Sequence, residues 1–107
     1  FYGGDPIHLV LLRPDGTSED VMLGSDPLAG QHVQFVIQAG VWQAGELAPG
    51  RTYALFGCTM APGFTGTCFE GGTAATLRAT HPDRADDISR LAVPDDHDTA
   101  MPEGFAT

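Results

Sequence analysis

The sequence contains no lysine, and all five of its basic residues are arginine. Fourteen acidic residues oppose them, which gives the chain a formal net charge of −9 at pH 7. Such an acidic surface repels phosphate backbones and anionic lipid headgroups, so we expect neither a nucleic-acid partner nor a membrane partner. With 107 residues, the chain is expected to form one domain around a small core.

Long apolar runs and cysteines are also scarce. No stretch approaches the roughly 18 apolar residues of a membrane-spanning helix, and no signal peptide is visible, so we expect a cytoplasmic protein. Cys58 and Cys68 are too few for a disulfide scaffold. Two reduced thiols are favoured, and a Cys58–Cys68 bridge stays open if their strands pair. Without Cys-x-x-Cys spacing, these two residues alone are not expected to bind a metal.

Turn signals divide the first 60 residues into strand candidates. The segments 7–13 and 18–23 flank Pro14-Asp15-Gly16 and predict a β-hairpin. A third strand is predicted over 33–38, with Val33, Phe35 and Ile37 on one face. Further strands are predicted over 41–44 and over 52–60, the longest candidate. This spacing is typical of a β-sandwich or barrel.

The character of the sequence changes after residue 72. Segment 73–78 has a helix-compatible composition, and Pro82 with Asp83 predicts the start of a helix. Ala85, Ile88 and Leu91 form one apolar stripe that could cover the end of a barrel. From residue 93 onward, acidic residues without basic partners predict a flexible tail. The predicted domains are therefore a barrel portion with a helix, 1–92, and an acidic tail, 93–107.

Three separated motifs give the most specific signal. They are Phe1-Tyr2-Gly3-Gly4-Asp5-Pro6, Ala39-Gly40-Val41-Trp42-Gln43-Ala44, and Gly57-Cys58-Thr59-Met60-Ala61-Pro62-Gly63-Phe64 with Phe69-Glu70 just beyond. In this order, residues 1–91 resemble one branch of the cupins, small β-barrels often catalogued as predicted sugar epimerases. The resemblance implies an all-β cupin fold, a double-stranded β-helix or jelly-roll barrel lacking its N-terminal strands, with a short C-terminal helix. It also implies that the chain begins within the domain and forms a homodimer.

The same resemblance bears on metal binding. Cupins commonly hold a metal with His and Glu ligands that would precede Phe1, and with a His where this chain has Gln43. Gln38 stands where proline is common, which departs from the pattern. An amide oxygen is a poor ligand for the metals that imidazole suits, so no cofactor is expected unless upstream ligands hold a divalent metal.

Gln43 is the leading candidate for ligand binding, because its amide both donates and accepts hydrogen bonds with hydroxyl groups. The alternative is that it satisfies backbone groups inside the barrel. Trp42, Gln38 and Phe64 are further ligand-binding candidates, and Trp42 could stack on a sugar ring. Alternation along a strand sends Trp42 to the face opposite Gln43, which favours a core role for Trp42.

Three residues are candidates for acid–base catalysis. Glu70 follows Phe69, and a carboxylate in an apolar setting can shuttle a proton. His8 lies opposite Ile7 and Leu9 on its strand and could act as a general base. Tyr53 could act as an acid. The simpler alternatives are an exposed Glu, a surface His and a core Tyr. Core positions are also expected for Cys58 and Tyr2, a loop for His32, and exposed positions for His81 and His97.

The resemblance, together with Gln43, implies a cupin that binds a small molecule, such as a sugar or nucleotide sugar, with epimerase-like or isomerase-like activity. Epimerisation next to a carbonyl needs two positioned acid–base groups. One alternative is a metal-dependent cupin enzyme that uses upstream ligands. Another is a binding or dimerisation module without catalysis. Fold alone does not decide among them.

Overall fold

The computed structural model describes residues 1–65, 69–95 and 100. Cys68 and His97 lie outside the described residues. The reduced state favoured for Cys58 and Cys68, with a bridge between them as the alternative, and the exposure expected for His97 therefore stay predictions. The chain divides into two compact units, Phe1–Gly57 and a second unit that begins at Cys58. The strands in the described residues are β1 (Gly3–Gly4), β2 (Ile7–Leu12), β3 (Ser18–Leu23), β4 (Trp42–Leu47) and β5 (Ala54–Leu55).

The predicted hairpin is confirmed as the antiparallel pair β2–β3. Its turn closes where the Arg13 N–H donates to the Thr17 carbonyl at 2.8 Å. The Asp15 carboxylate accepts bonds from the Thr17 N–H at 2.9 Å and the Thr17 hydroxyl at 2.6 Å. These local bonds explain why a Pro-Asp-Gly sequence specifies the reversal.

Strand β4 adds to the other side of β2, so the main sheet has the order β3-β2-β4 and is antiparallel throughout. Residues opposite each other on neighbouring strands project from the same face. One face, the core face, carries Ile7, Leu9 and Leu11 from β2. The opposite face, the His8 face, carries His8, Val10 and Leu12.

The core face carries the hydrophobic centre of the first unit. Ile7, Leu9, Leu11 and Val21 are buried there, and Leu11 is only 2% exposed. Half-buried side chains pack against this cluster from both ends of the unit, from the segment before β4 and from the last residues of β3 and β4: Phe1, Leu23, Phe35, Ile37, Val41, Leu47 and Ala54.

The predicted strand over 33–38 is wrong. This segment is irregular, although Phe35 and Ile37 still pack against the core cluster while Val36 is 69% exposed. Its backbone bonds are single contacts, such as the one from the Phe1 ammonium group to the Val33 carbonyl at 2.8 Å. The alternation of apolar residues therefore indicates a segment that lies on the core. It does not indicate a strand that pairs with a neighbouring strand.

The predicted long strand over 52–60 is also wrong, because only Ala54–Leu55 forms β5. This strand pairs with β1 in a separate small sheet. Just before it, the Asp5 carboxylate accepts the Thr52 N–H at 2.8 Å and the Tyr53 N–H at 3.4 Å. A side chain thus replaces the strand neighbour that these N–H groups would need to continue a ladder.

The second unit contains two short helices where one was predicted. Helix α1 spans Ala74–Thr80, a 3₁₀ turn spans Pro82–Arg84, and α2 spans Ala85–Leu91. Ile88 of the predicted apolar stripe is buried, and Ala85 and Leu91 are half-buried.

The prediction that His81 is exposed is wrong, since it is only 2% exposed. Its N–H caps α1 by donating to the Leu77 carbonyl at 2.8 Å. Its Nδ1 lies 2.9 Å from the Thr80 hydroxyl. The first described residues of the predicted tail also contact α1, since the Ala75 N–H donates to Asp95 at 2.8 Å.

Candidate functional site

Gln43 lies on the core face of the main sheet, near the end where the chain enters β4. It is paired with Leu11 on β2, and Leu11 is paired in turn with Glu19 on β3. The three residues therefore form one row across the three strands. Gln43 is exposed while Leu11 is fully covered, so the amide stands at the rim of the apolar cluster. This placement puts a polar group beside buried apolar side chains, a combination that is common in small-molecule sites.

The rim carries two further polar side chains that sequence reasoning missed. Arg13 and Glu19 form an ion pair between their guanidinium and carboxylate groups. Both side chains are little more than one-third exposed. We call Gln43, Arg13 and Glu19 together the Gln43 rim. Only the register of three strands brings these residues to one edge, and no local motif signals it.

The His8 face carries a second polar group of residues, which spans all three strands. His8 Nε2 donates to the Asp20 carboxylate at 2.7 Å, because a carboxylate can only accept. On the other side, His8 Nδ1 lies 3.7 Å from the Glu46 carboxylate. A histidine oriented by a carboxylate through one nitrogen is the usual arrangement of a general base. Sequence reasoning named His8 but missed Asp20 and Glu46, which the register places beside it.

Trp42 lies on the His8 face, opposite Leu12, as alternation from Gln43 predicted. It is half-buried, and its neighbours Val10 and Leu12 on the central strand are buried. Trp42 and Gln43 therefore cannot contact one ligand from the same side of the sheet.

The remaining predicted site residues do not join either group of polar side chains. Tyr53 is exposed beside the small sheet, where its backbone pairs with Asp5. Gln38 is exposed in the irregular segment before β4. Glu70 and Phe64 belong to the second unit and are both exposed. Glu70 thus takes the exposed position that was the simpler alternative for it.

Two predicted core positions are also exposed. Cys58 is exposed, and Tyr2 is 76% exposed. The Tyr2 ring lies beside Gly57 of the same unit, since a Cβ placed at Gly57 would be 3.1 Å from the ring.

The residues present do not fit the metal site that cupins commonly carry. Gln43 offers an amide where imidazole would be the metal ligand. Within residues 1–65, 69–95 and 100, no group of three or more His, Cys, Asp or Glu side chains is placed to hold a metal ion. The Gln43 amide itself is better suited to hydrogen bonding with hydroxyl groups than to holding a transition metal.

One open cavity of about 420 Å³ lies in the second unit, along residues 82–87. It is lined by the 3₁₀ turn and the first residues of α2, which include Asp83, Arg84 and Asp87. The Arg90 guanidinium holds the pKa of Asp87 below its ordinary value. The cavity contains none of the predicted site residues.

Comparison with known proteins gives one match. A family model described as Cupin superfamily (DUF985) matches residues 1–71, about two-thirds of the chain. No curated protein matches the chain, and neither does any solved structure. Within the described residues, no helix combines the length and apolar character needed to cross a membrane.

Proposed function

Because the chain belongs to the family described as Cupin superfamily (DUF985), we propose that it binds a small polar organic molecule at the Gln43 rim. The mostly β structure with two short C-terminal helices fits a cupin fold. The observation that carries the proposal is the exposed Gln43 amide at the edge of the buried cluster around Leu11. An amide that donates and accepts matches hydroxyl groups, which do the same.

Ligand binding to Gln43→Ala tests this proposal. Saturation-transfer NMR with a panel of neutral methyl glycosides detects weak binding to the unmodified chain. We expect Gln43→Ala to lose the signal while the matched variant Gln34→Ala keeps it. Gln34 is an exposed glutamine in the irregular segment before β4, so its removal controls for the loss of an amide. Equal binding by both variants would overturn the role of Gln43.

A second candidate function is acid–base isomerisation on the His8 face. The 2.7 Å bond from His8 to Asp20 favours it, because it fixes the ring and leaves Nδ1 directed toward Glu46. In this proposal His8 Nδ1 takes the proton from the carbon next to a carbonyl and returns it to the former carbonyl carbon on the same face of the substrate, while Glu46 passes the hydroxyl proton between the two oxygens. Epimerisation is not proposed, because it needs acid–base groups on both faces of one carbon and His8 and Glu46 lie on one face of the sheet. Deuterium uptake from D₂O at the sugar carbon measures the activity. Uptake that survives in His8→Asn would exclude it.

The homodimer and the cytoplasmic location stay predictions. Exposed apolar side chains around the small sheet, such as Tyr53 and Leu55, support pairing of two copies because open edges and apolar surface favour association. Light scattering after size-exclusion chromatography would measure twice the 11.2 kDa chain mass for a dimer.

A further inference from the structure

The charges at the Gln43 rim restrict the ligand it can accept. Arg13 is the cation at this end of the main sheet, and its guanidinium is already paired with the Glu19 carboxylate. A phosphate group arriving at the rim would meet both the guanidinium and the carboxylate, and it would have to displace Glu19 to use the cation. Juxtaposed like charges of this kind discriminate strongly against a ligand.

The net charge of the whole chain also disfavours a ligand that carries a phosphate group. At −9, the long-range field slows the approach of anions to every part of the surface. A cationic ligand would be attracted over long range, but at the rim it would meet the Arg13 guanidinium. Neither sign of charge is therefore favoured at the rim itself.

The hydrogen-bonding groups of the rim are mixed. Gln43 donates and accepts, Glu19 accepts, and Arg13 donates. Gln43 and Glu19 are two strands apart, which separates their Cα atoms by about 10 Å. Hydroxyl groups at both ends of one small molecule would match these donors and acceptors.

We propose that the ligand of the Gln43 rim is an uncharged polyhydroxylated molecule, such as a sugar without a phosphate group. The proposal rests on the function proposed above, since it names the ligand class of the same site. Of the sugars and nucleotide sugars that the sequence resemblance suggests, it disfavours the nucleotide sugars. The Arg13–Glu19 pair acts as the specificity determinant by occupying the cation that a phosphate would need.

Matched ligand pairs test this inference on the full 107-residue chain. Each pair contains a neutral methyl glycoside and the 1-phosphate of the same sugar, and binding is measured by saturation-transfer NMR and competition. We expect the neutral member to bind about tenfold or more tightly than the phosphate. If the phosphate binds as tightly or more tightly, the inference fails while the proposed small-molecule function stands. If neither member of any pair binds, both fail.

The variant Glu19→Gln supplies the sharper test. It removes the carboxylate and keeps the size of the side chain, so the Arg13 guanidinium no longer pairs with an anion at position 19. We expect it to improve phosphate binding about tenfold relative to the unmodified chain. The control Asp26→Asn removes a carboxylate from the loop after β3. It should leave the ratio of phosphate affinity to neutral-glycoside affinity unchanged. An unaltered ratio in Glu19→Gln, with an unaltered circular dichroism spectrum, would overturn the inference.

Discussion

Gln43 and His8 lie on opposite faces of the main sheet. Gln43 is paired with Leu11, and His8 lies three residues before Leu11 on the same strand. An odd separation along a strand always places two side chains on opposite faces. The predicted ligand-binding amide and the predicted general base therefore serve different surfaces, and one pocket on this sheet cannot use both.

The first prediction follows from this separation. We expect Gln43→Ala to abolish binding of a neutral methyl glycoside, and His8→Asn to leave that binding within about twofold, since His8 makes its contacts with Asp20 and Glu46 on the other face. Saturation-transfer NMR on both variants measures the difference. If His8→Asn weakens binding as much as Gln43→Ala does, the assignment of the ligand to the core face is wrong.

The second prediction concerns the core cluster. Leu11→Ala removes the most deeply buried side chain of the cluster and should cost about 2–5 kcal/mol of the free energy of unfolding. Leu28→Ala is the matched control, because Leu28 is 100% exposed and its truncation should change stability by less than about 0.5 kcal/mol. Urea unfolding followed by the fluorescence of Trp42, the single tryptophan, measures both values. Similar losses in the two variants would show that Leu11 does not anchor the core.

The sequence predicted those parts of the fold that local chemistry decides. The hairpin follows from the turn residues between two apolar strands, and the apolar stripe around Ile88 follows from helical periodicity. The prediction of a strand over 33–38 was wrong because alternation with a period of two shows only which side chains contact the core. It does not show whether the backbone pairs with a neighbouring strand. In the strand predicted over 52–60, the Asp5 carboxylate replaces that neighbour at Thr52 and Tyr53.

The candidate site was predictable only in part. The motif around Gln43 identified the amide, and alternation correctly separated it from Trp42. Arg13 and Glu19 depend on the register of β2 against β3 and β4, a tertiary property that no single segment encodes. The buried position of His81 likewise depends on how α1 ends and the next turn begins, which its flanking Pro82 does not reveal.

The third prediction compares two glycines in β1. Gly4 has a φ of 94°, and a Cβ there would overlap the Tyr53 carbonyl oxygen. At Gly3, a Cβ would meet nothing within 4 Å. We expect Gly4→Ala to destabilise the first unit by about 1 kcal/mol or more, because it adds a steric overlap to backbone strain. Gly3→Ala should be nearly neutral. The Trp42 unfolding curve again measures both, and equal stability of the two variants would contradict the close approach of β1 and β5.

The fourth prediction concerns pH. The backbone N–H of Thr52 holds the pKa of Asp5 below its ordinary value, with smaller contributions from the Tyr53 N–H and the Arg51 guanidinium. A carboxyl group whose pKa is lower in the folded chain stabilises that chain fully above its ordinary pKa of about 4. This contribution disappears as the pH falls from there through the lower folded pKa.

The variant Asp5→Asn isolates this contribution. It removes the charge that the Thr52 and Tyr53 N–H groups stabilise, so we expect lower stability than the unmodified chain at pH 7. Below about pH 4 the difference should shrink, because the unmodified chain also loses the charge there. Asp83→Asn, on the 3₁₀ turn of the second unit, should follow the pH dependence of the unmodified chain. Urea midpoints from Trp42 fluorescence between pH 7 and pH 2.5 provide the comparison. A difference that stays constant across this range would show that the Asp5 charge does not stabilise the loop before β5.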